Sequence, residues 1–133
     1  MAMAKTGETI KLSFPVNPAY VSSARLTASS IANRMGFDID EIEDIKTAVS
    51  EACTYIIRTM ITDEKSNFEI NFILLEGVME IHMVTSGMPV PTPPDEMSLM
   101  MIKALVDDFK LSGGPEKNIE IFMIKKHISS FFE

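Results

Sequence analysis

The order of strands and helices in the sequence predicts an α+β fold, a two-layer sandwich in which a mostly antiparallel mixed sheet carries three helices on one face. Tight turns at Glu76-Gly77 and Gly113-Gly114-Pro115 join neighbouring strand-like segments, and strands joined by hairpin turns pair antiparallel. Each helical segment shows one apolar stripe, so each helix can cover one side of a sheet. A chain of 133 residues with these elements forms one domain, residues 1–133, in which we expect residues 1–7 to be flexible.

Composition and charge narrow the class of protein. The chain is 46% hydrophobic and 23% charged, as is typical of a globular domain. Its net charge of −7 repels phosphate groups, which argues against nucleic-acid binding and against binding to anionic membranes. The single Cys53 cannot form an internal disulfide, which fits a reducing compartment. No apolar run is long enough to span a membrane and the start has no signal-peptide core, so we expect a cytoplasmic location.

The first strand and first helix have clear boundaries in the sequence. Apolar and polar residues alternate from Glu8 to Val16, which predicts a half-buried strand. Asn17-Pro18 is typical of a helix start, and Gly36 of a helix end. The apolar face of this helix consists of Val21, Ala24, Ala28, Ile31 and Met35.

The second helix, from Asp38 to Met60, is the most regular element of the sequence. Asp38 and Glu41 have the spacing of a capping box. Successive residues turn by about 100°, so Glu51 lies about 140° from the middle of the apolar stripe, and Tyr55 lies one turn further on. We therefore expect both side chains on the outward face. The stripe itself consists of Ile42, Ile45, Val49, Ala52, Ile56 and Met60.

The second half of the chain predicts two further strand pairs and one helix. Strands are predicted at 68–75, 79–84, 109–111 and 119–125. A proline-rich stretch from Thr85 to Pro94 predicts a stiff connector, with a recognised polyproline segment as the alternative. A methionine-rich helix is predicted from Asp95 to Asp108, with Leu99, Ile102, Leu105 and Val106 on its inner face.

The segment Ile42–Thr54, which reads IEDIKTAVSEACT, closely resembles the second helix of the anti-sigma-factor serine kinases. These are bacterial members of the histidine-kinase-like ATPase superfamily, also called GHKL or Bergerat fold. Residues 18–27 and 32–36 are similar to the first helix of that family. The resemblance covers residues 10–54, and beyond them it continues as the same order of elements. It implies a Bergerat-type sandwich.

In these kinases the second helix carries Glu-x-x-x-Asn, where the Glu is the general base and the Asn holds Mg²⁺ against the nucleotide. Glu51 stands in the Glu position and Tyr55 in the Asn position. Mg²⁺ seeks hard oxygen ligands, and a neutral phenol is a poor substitute for an amide oxygen. The resemblance therefore implies that Glu51 is a vestigial general base without a metal partner.

The two other family boxes have also changed. Thr85 replaces the Asp of the adenine-binding Asp-x-Gly box, while Gly87 keeps its glycine, and a neutral hydroxyl binds an amino group less strongly than a carboxylate. The glycine-rich lid corresponds to residues 93–98, PPDEMS, which contain no glycine and two prolines without N–H groups. We therefore expect no cofactor and no metal; ATP and Mg²⁺ are expected only if the chain is an active kinase.

The leading hypothesis is an anti-sigma-factor-like regulatory protein that binds a sigma factor or an anti-anti-sigma (STAS-type) protein, with impaired or lost ATP binding. The family implies a homodimer to which the first strand and first helix contribute. Arg25, Arg34 and Glu41 lie in the matching region, but the sequence does not assign any of them to a contact with a partner. The first alternative is an ATP-dependent serine/threonine kinase that phosphorylates an anti-anti-sigma protein. The second is a domain repurposed for another small ligand, with Tyr55 as the pocket wall.

The remaining candidate residues suggest structural roles. His82 and His127 lack neighbours at metal-ligand spacing, which favours structural or surface histidines over a metal site. Cys53 lies near the apolar stripe without a base beside it, so we expect a core residue and not a nucleophile. The methionines fill the core or form an adaptable partner surface; those of the third helix are Met97, Met100 and Met101.

Overall fold

Among the described residues, the chain forms five strands, three α-helices and one short 3-10 helix. The computed structural model describes residues 7–61, 65–87, 89–90, 96–114 and 117–129. In chain order the elements are β1 (Glu8–Pro15), the 3-10 helix (Pro18–Tyr20), α1 (Val21–Met35), α2 (Ile39–Thr59), β2 (Asn67–Leu75), β3 (Val78–Ser86), α3 (Glu96–Leu105), β4 (Asp108–Gly114) and β5 (Lys117–Lys126).

The strands form one sheet in the order β1-β2-β3-β5-β4. Each pairing of neighbouring strands is antiparallel, so the described sheet is antiparallel throughout where a mostly antiparallel mixed sheet was predicted. The β2–β3 turn uses Gly77 at φ 70°, as the Glu76-Gly77 signal predicts. β1 and β4 are the outer strands. The α+β class is confirmed.

The core lies between the sheet and the helices. Along β2 the buried residues Phe68, Ile70 and Phe72 alternate with residues that are only partly buried, because successive strand residues face opposite sides. The helices therefore cover one face of the sheet. α2 lies between α1 and α3 and contacts both. This central position makes α2 the element around which any site on the helical layer is built.

The Asn17-Pro18 signal begins the 3-10 helix that leads into α1, and the predicted end of α1 and both ends of α2 are confirmed. The Asn17 side chain accepts a hydrogen bond from the Ala19 N–H at 2.9 Å, and Gly36 ends α1 in the left-handed region at φ 88°. The Asp38 carboxylate accepts from the Glu41 N–H at 2.8 Å, and the Glu41 carboxylate accepts from the Asp38 N–H at 2.9 Å. This reciprocal pair is the capping box that the sequence predicts.

The predicted third helix is too long at its end. It was expected to reach Asp108, whereas α3 ends at Leu105 and Asp108 begins β4. The cause is long-range: the Asp107 N–H donates to the Ile124 carbonyl at 2.8 Å, and the Lys125 ammonium donates to the Leu105 carbonyl at 2.8 Å. Contacts with β5 thus draw these residues away from the helix.

The prediction of a flexible start falls partly outside the described residues. Residues 1–6 lie outside them, as does Asp95, where the third helix was expected to begin. Gly7 is described, and its N–H donates to the Leu74 carbonyl at 3.1 Å. The sheet hydrogen bonding therefore already starts at Gly7.

Candidate functional site

Glu51 and Tyr55 lie on the side of α2 that α3 covers. Glu51 is half-buried, and Tyr55 is only 5% exposed and belongs to the hydrophobic core. The predicted outward face is therefore wrong for Tyr55. The prediction treated α2 as a helix on a sheet with solvent beyond it, but α3 packs against α2 and closes that side. Tyr55 consequently adds apolar area to the core.

A serine of α3 contacts the Glu51 carboxylate. The Ser98 hydroxyl donates to Glu51 Oε2 at 2.8 Å, and Ser98 is 3% exposed. Residues 93–95 of the predicted lid lie outside the described residues, and Ser98, its last member, lies within α3. Sequence reasoning missed this contact. A signal was present, since Ser98 has the spacing of four and seven residues to Ile102 and Leu105 that places it on the inner face.

Thr85 lies at the end of β3 with its side chain fully buried. Its hydroxyl accepts from the Ile119 N–H at 2.8 Å and donates to the Ile119 carbonyl at 3.1 Å. The backbone pairing of β3 with β5 ends one residue earlier, at Val84 and Glu120. The threonine side chain therefore extends the strand pairing by one step, which uses its only donor and one acceptor position.

Gly87 follows β3 in a backbone conformation that favours glycine. Its φ is 133°, and an added Cβ would lie 2.5 Å from Ser66 Oγ and 3.1 Å from Ser66 Cα. Other residues rarely adopt such a φ, and the chain segments around Ser66 and Gly87 lie too close for a side chain. The backbone therefore requires glycine at this position, where it lies against the segment around Ser66.

The two histidines lie in different parts of the molecule. His127 Nδ1 lies 2.6 Å from Glu41 Oε1, and His82 Nε2 lies 3.4 Å from Glu120 Oε1. Within the described part of the chain, no group of three or more His, Cys, Asp or Glu side chains could hold a metal ion. Glu41, for which the sequence predicts only the capping-box contact, also accepts from the Ile128 N–H at 2.7 Å. Both histidines are thus paired with carboxylates.

Cys53 is a core residue, as predicted. It is 0% exposed, and burial raises the pKa of its thiol to about 12 because a thiolate would lose its hydration. The thiol therefore stays protonated at neutral pH. A protonated, buried sulfur is not a nucleophile.

The methionines divide between the core and the surface, and a partner role for the exposed ones stays a prediction. Met35, Met79 and Met123 are fully buried in the core. Met97, Met100 and Met101 of α3 are 72%, 69% and 39% exposed, so core filling is the wrong interpretation for these three. They lie on the side of α3 that faces away from α2.

Two surface cavities lie away from Glu51 and Tyr55. One of about 550 Å³ opens on the uncovered sheet face and is lined by His82, Lys110, Leu111, Ser112, Glu120 and Phe122. The other, of about 310 Å³, is a groove along α1 and α2 lined by Arg25, Leu26, Glu43, Lys46, Thr47 and Ser50. Neither has Tyr55 as its wall.

The helical layer on an antiparallel sheet, with Glu51 on the central helix, defines the class of protein to which the chain belongs. The chain belongs to the histidine kinase-like ATPase domain family, whose profile matches residues 14–125. It is similar to the serine-protein kinases RsbW of Bacillus thuringiensis (strain Al Hakam) and Bacillus cereus (strain AH820). Identity to each is 33% over 123 residues, covering 78% of this chain and 77% of the relative. The family-level resemblance seen in the sequence is confirmed.

A solved structure supports the fold. The structure of the RsbU and RsbW domains of Rv1364c from Mycobacterium tuberculosis matches 90% of this chain with a TM-score of 0.69. The sequence identity is 14%, and this chain spans 32% of that chain's length, so the likeness concerns the fold alone. In the described part of the chain, no helix has the length and apolarity needed to cross a membrane.

Proposed function

We propose that this protein is an RsbW-like regulatory protein that acts in the cytoplasm by binding a sigma factor or an anti-anti-sigma (STAS-type) protein, and that it has lost productive ATP binding. The observation that carries the proposal is the burial of Tyr55, which is 5% exposed and stands in the position of the metal-binding Asn of the resembling kinases. The family assignment supports the partner class.

The residues at the Tyr55 position do not fit a nucleotide-bound Mg²⁺. A magnesium ion keeps several waters and binds charged or amide oxygens in an open, wet site. Tyr55 instead packs among apolar core side chains such as Ala52 and Ile56. A carboxylate as close as Glu51 would repel a triphosphate that no metal neutralises. This combination supports loss of phosphoryl transfer.

The residues at the adenine position also fit poorly. The Thr85 hydroxyl is already bonded to both backbone groups of Ile119, so an adenine amino group would have to share its remaining lone pair without the help of a negative charge. Gly87 packs closely against Ser66. These contacts support a site that is filled by the protein's own groups.

The groove along α1 and α2 is the surface that we assign to the protein partner. Leu26 is 62% exposed at its edge, and Lys46 pairs with Glu43 at 3.1 Å. Arg25 has no hydrogen-bond or ion-pair partner within the described residues. An apolar side chain beside an unpaired guanidinium fits a partner segment that presents an apolar residue next to a carboxylate.

Homodimer formation is proposed through β1 and the start of the helical layer. No strand pairs with the outer edge of β1 among the described residues, and an open edge strand favours association. Ile10 and Tyr20 are 36% and 38% exposed near this edge. Sedimentation equilibrium of the wild type and of Ile10→Glu tests this: the wild type is expected as a dimer, and a monomeric wild type would reject it.

Nucleotide titration tests the loss of ATP binding. Isothermal calorimetry with ATP and Mg²⁺ is expected to show no saturable binding at millimolar nucleotide, while an RsbW kinase from Bacillus cereus serves as the positive control. Saturable micromolar binding, or transfer of labelled phosphate to a STAS-type protein, would instead support the serine/threonine kinase alternative, which retention of Glu51 and the names of the relatives favour.

The partner surface is tested separately. Sigma factors and STAS-type proteins of the same genome are titrated against the wild type, Arg25→Glu and the matched control Lys110→Glu, which lies on the uncovered sheet face. Arg25→Glu is expected to weaken binding about tenfold or more, since it replaces attraction by repulsion at a contact. Equal weakening by both variants, or no binding by the wild type, would count against this assignment.

A further inference from the structure

Within the described residues, a partly buried polar pair joins α2 to α3. Ser98, on α3, is 3% exposed, and its hydroxyl donates to Glu51 Oε2, on α2, at 2.8 Å. The two residues are 47 positions apart in sequence. The pair therefore forms only when α3 lies closed against α2.

The physical chemistry makes this contact stronger than an ordinary surface hydrogen bond. The acceptor is a carboxylate, and bonds to charged groups are shorter and stronger than those between neutral groups. Ser98 is shielded from solvent, so its hydroxyl and the Glu51 carboxylate satisfy each other in place of water. Separation of the helices breaks this bond, and both groups must then bind water instead. Glu51 accepts no second hydrogen bond from the described residues. Ser98 thus provides most of the compensation for the partial burial of Glu51.

The other contacts of α3 lie further along the helix. Ile102 is 0% exposed, and Leu105 is half-buried against the core. In the first turns, the neighbouring Met97 and Met100 point into solvent. Among the described residues, Leu99 and the Ser98–Glu51 bond therefore contribute to holding the beginning of α3, while apolar packing holds its end.

We propose that Ser98 is an internal competitor for Glu51, an autoinhibitory contact that holds the first turns of α3 on α2 and denies the carboxylate to any incoming ligand. The inference rests on the proposed function, because it explains why a retained glutamate has no ligand to act on. It adds a residue, Ser98, whose removal opens access to Glu51 without changing Glu51 itself.

The test compares Ser98→Ala with Ser98→Thr, which keeps a hydroxyl, and with Ser112→Ala, an exposed serine of β4. Access to Glu51 is measured by carbodiimide coupling of glycine ethyl ester followed by peptide mass spectrometry. Opening of α3 is measured by amide hydrogen exchange at 100–103, whose N–H groups bond within the helix. No nucleotide is added, so the outcome is independent of the ATP titration.

Ser98→Ala is expected to increase both the labelling rate of Glu51 and the exchange rate at 100–103 by about tenfold, because it removes the hydrogen bond to the Glu51 carboxylate. Ser98→Thr is expected to restore protection, and Ser112→Ala to match the wild type. Equal labelling and exchange in Ser98→Ala and the wild type would overturn the proposal. If Ser98→Ala does not fold, Glu51→Ala, which also removes the Ser98–Glu51 bond, replaces it in the exchange experiment: faster exchange at 100–103 supports the proposal, and unchanged exchange rejects it.

Discussion

The two halves of α2 are held in place by different forces, although each contains a shielded glutamate. At the N-terminal half, the Glu41 carboxylate lies against His127 at 2.6 Å and accepts from two backbone N–H groups, those of Asp38 and Ile128. At the C-terminal half, Glu51 accepts one hydrogen bond, from Ser98, and Tyr55 packs in the core. The first glutamate is held by three partners from two parts of the chain; the second makes a single contact, which joins α2 to α3.

If the proposed loss of ATP binding holds, this difference explains how the fold persists without the nucleotide. A change at Glu41 leaves three donors from two distant parts of the chain without their acceptor, namely the Asp38 N–H, the Ile128 N–H and the His127 ring. Around Glu51, by contrast, stability comes from apolar packing, to which the buried Tyr55 contributes. Selection for stability alone would keep Glu41 and would favour Tyr55, whether or not a nucleotide is bound.

Tyr55→Ala is expected to have the largest effect on stability, and it acts on the C-terminal half of α2, which apolar packing holds in place. Truncation of a large buried aromatic side chain leaves a cavity and removes its contacts, so the free energy of unfolding is expected to fall by about 3–5 kcal/mol. Urea unfolding at pH 7 measures it. The matched control on the exposed surface is Leu26→Ala, at 62% exposure, which is expected to stay within about 0.5 kcal/mol of the wild type. A loss below 1 kcal/mol for Tyr55→Ala would mean that Tyr55 is not a core residue.

Glu41→Ala removes the polar contacts that hold the N-terminal half of α2 in place. The Asp38 and Ile128 N–H groups and His127 lose their acceptor, and we expect a loss of about 3 kcal/mol, measured by the same unfolding curves. Glu43→Ala is the control, since its side chain is 61% exposed and pairs only with Lys46; exposed pairs contribute at most about 1 kcal/mol. Similar losses in the two variants would show that the Glu41 contacts are weak.

The sequence predicts one half of α2 better than the other, and the reason is the range of the contacts. The Asp38–Glu41 box joins residues three positions apart and is confirmed as predicted. The second role of Glu41 depends on Ile128, 87 positions away, and no periodicity contains that information. The burial of Tyr55 depends likewise on the position of α3, which the pattern of α2 alone cannot reveal.

The same distinction holds for the candidate site as a whole. Gly87 is named from the resemblance to the family box; the structure gives it a φ of 133°, which favours glycine, and its role at a nucleotide stays a prediction. The Thr85 hydroxyl finds its partner at Ile119, 34 residues on, and this pair follows only from the register of β3 with β5. Ser98 is the intermediate case, since its place on an apolar stripe indicates burial, while its partner requires the packing of two helices.

The buried thiol of Cys53, in the C-terminal half of α2, makes the stability of the fold depend on pH. Burial raises the pKa of its thiol from 9.0 to about 12, so the unfolded chain loses this proton first. The stabilising contribution is complete below pH 9 and decreases as the pH rises towards 12. By pH 10 the wild type should lose about 1 kcal/mol that Cys53→Ala does not lose. Urea unfolding of both proteins at pH 8 and 10 measures this difference; parallel pH profiles would show that the thiol ionises freely in the fold.

The smallest expected effect is the most informative comparison, the same Glu→Gln change at both halves of α2. A glutamine keeps the volume and one acceptor oxygen, so Glu51→Gln can still bind the Ser98 hydroxyl and should change the unfolding free energy by less than about 1 kcal/mol. Glu41→Gln must place an NH₂ group where a second oxygen now faces an N–H donor, and should cost about 2 kcal/mol. Equal costs would make Glu51 a structural anchor like Glu41. A neutral or stabilising Glu51→Gln would fit a carboxylate that was retained from a catalytic ancestor and that the present fold does not need.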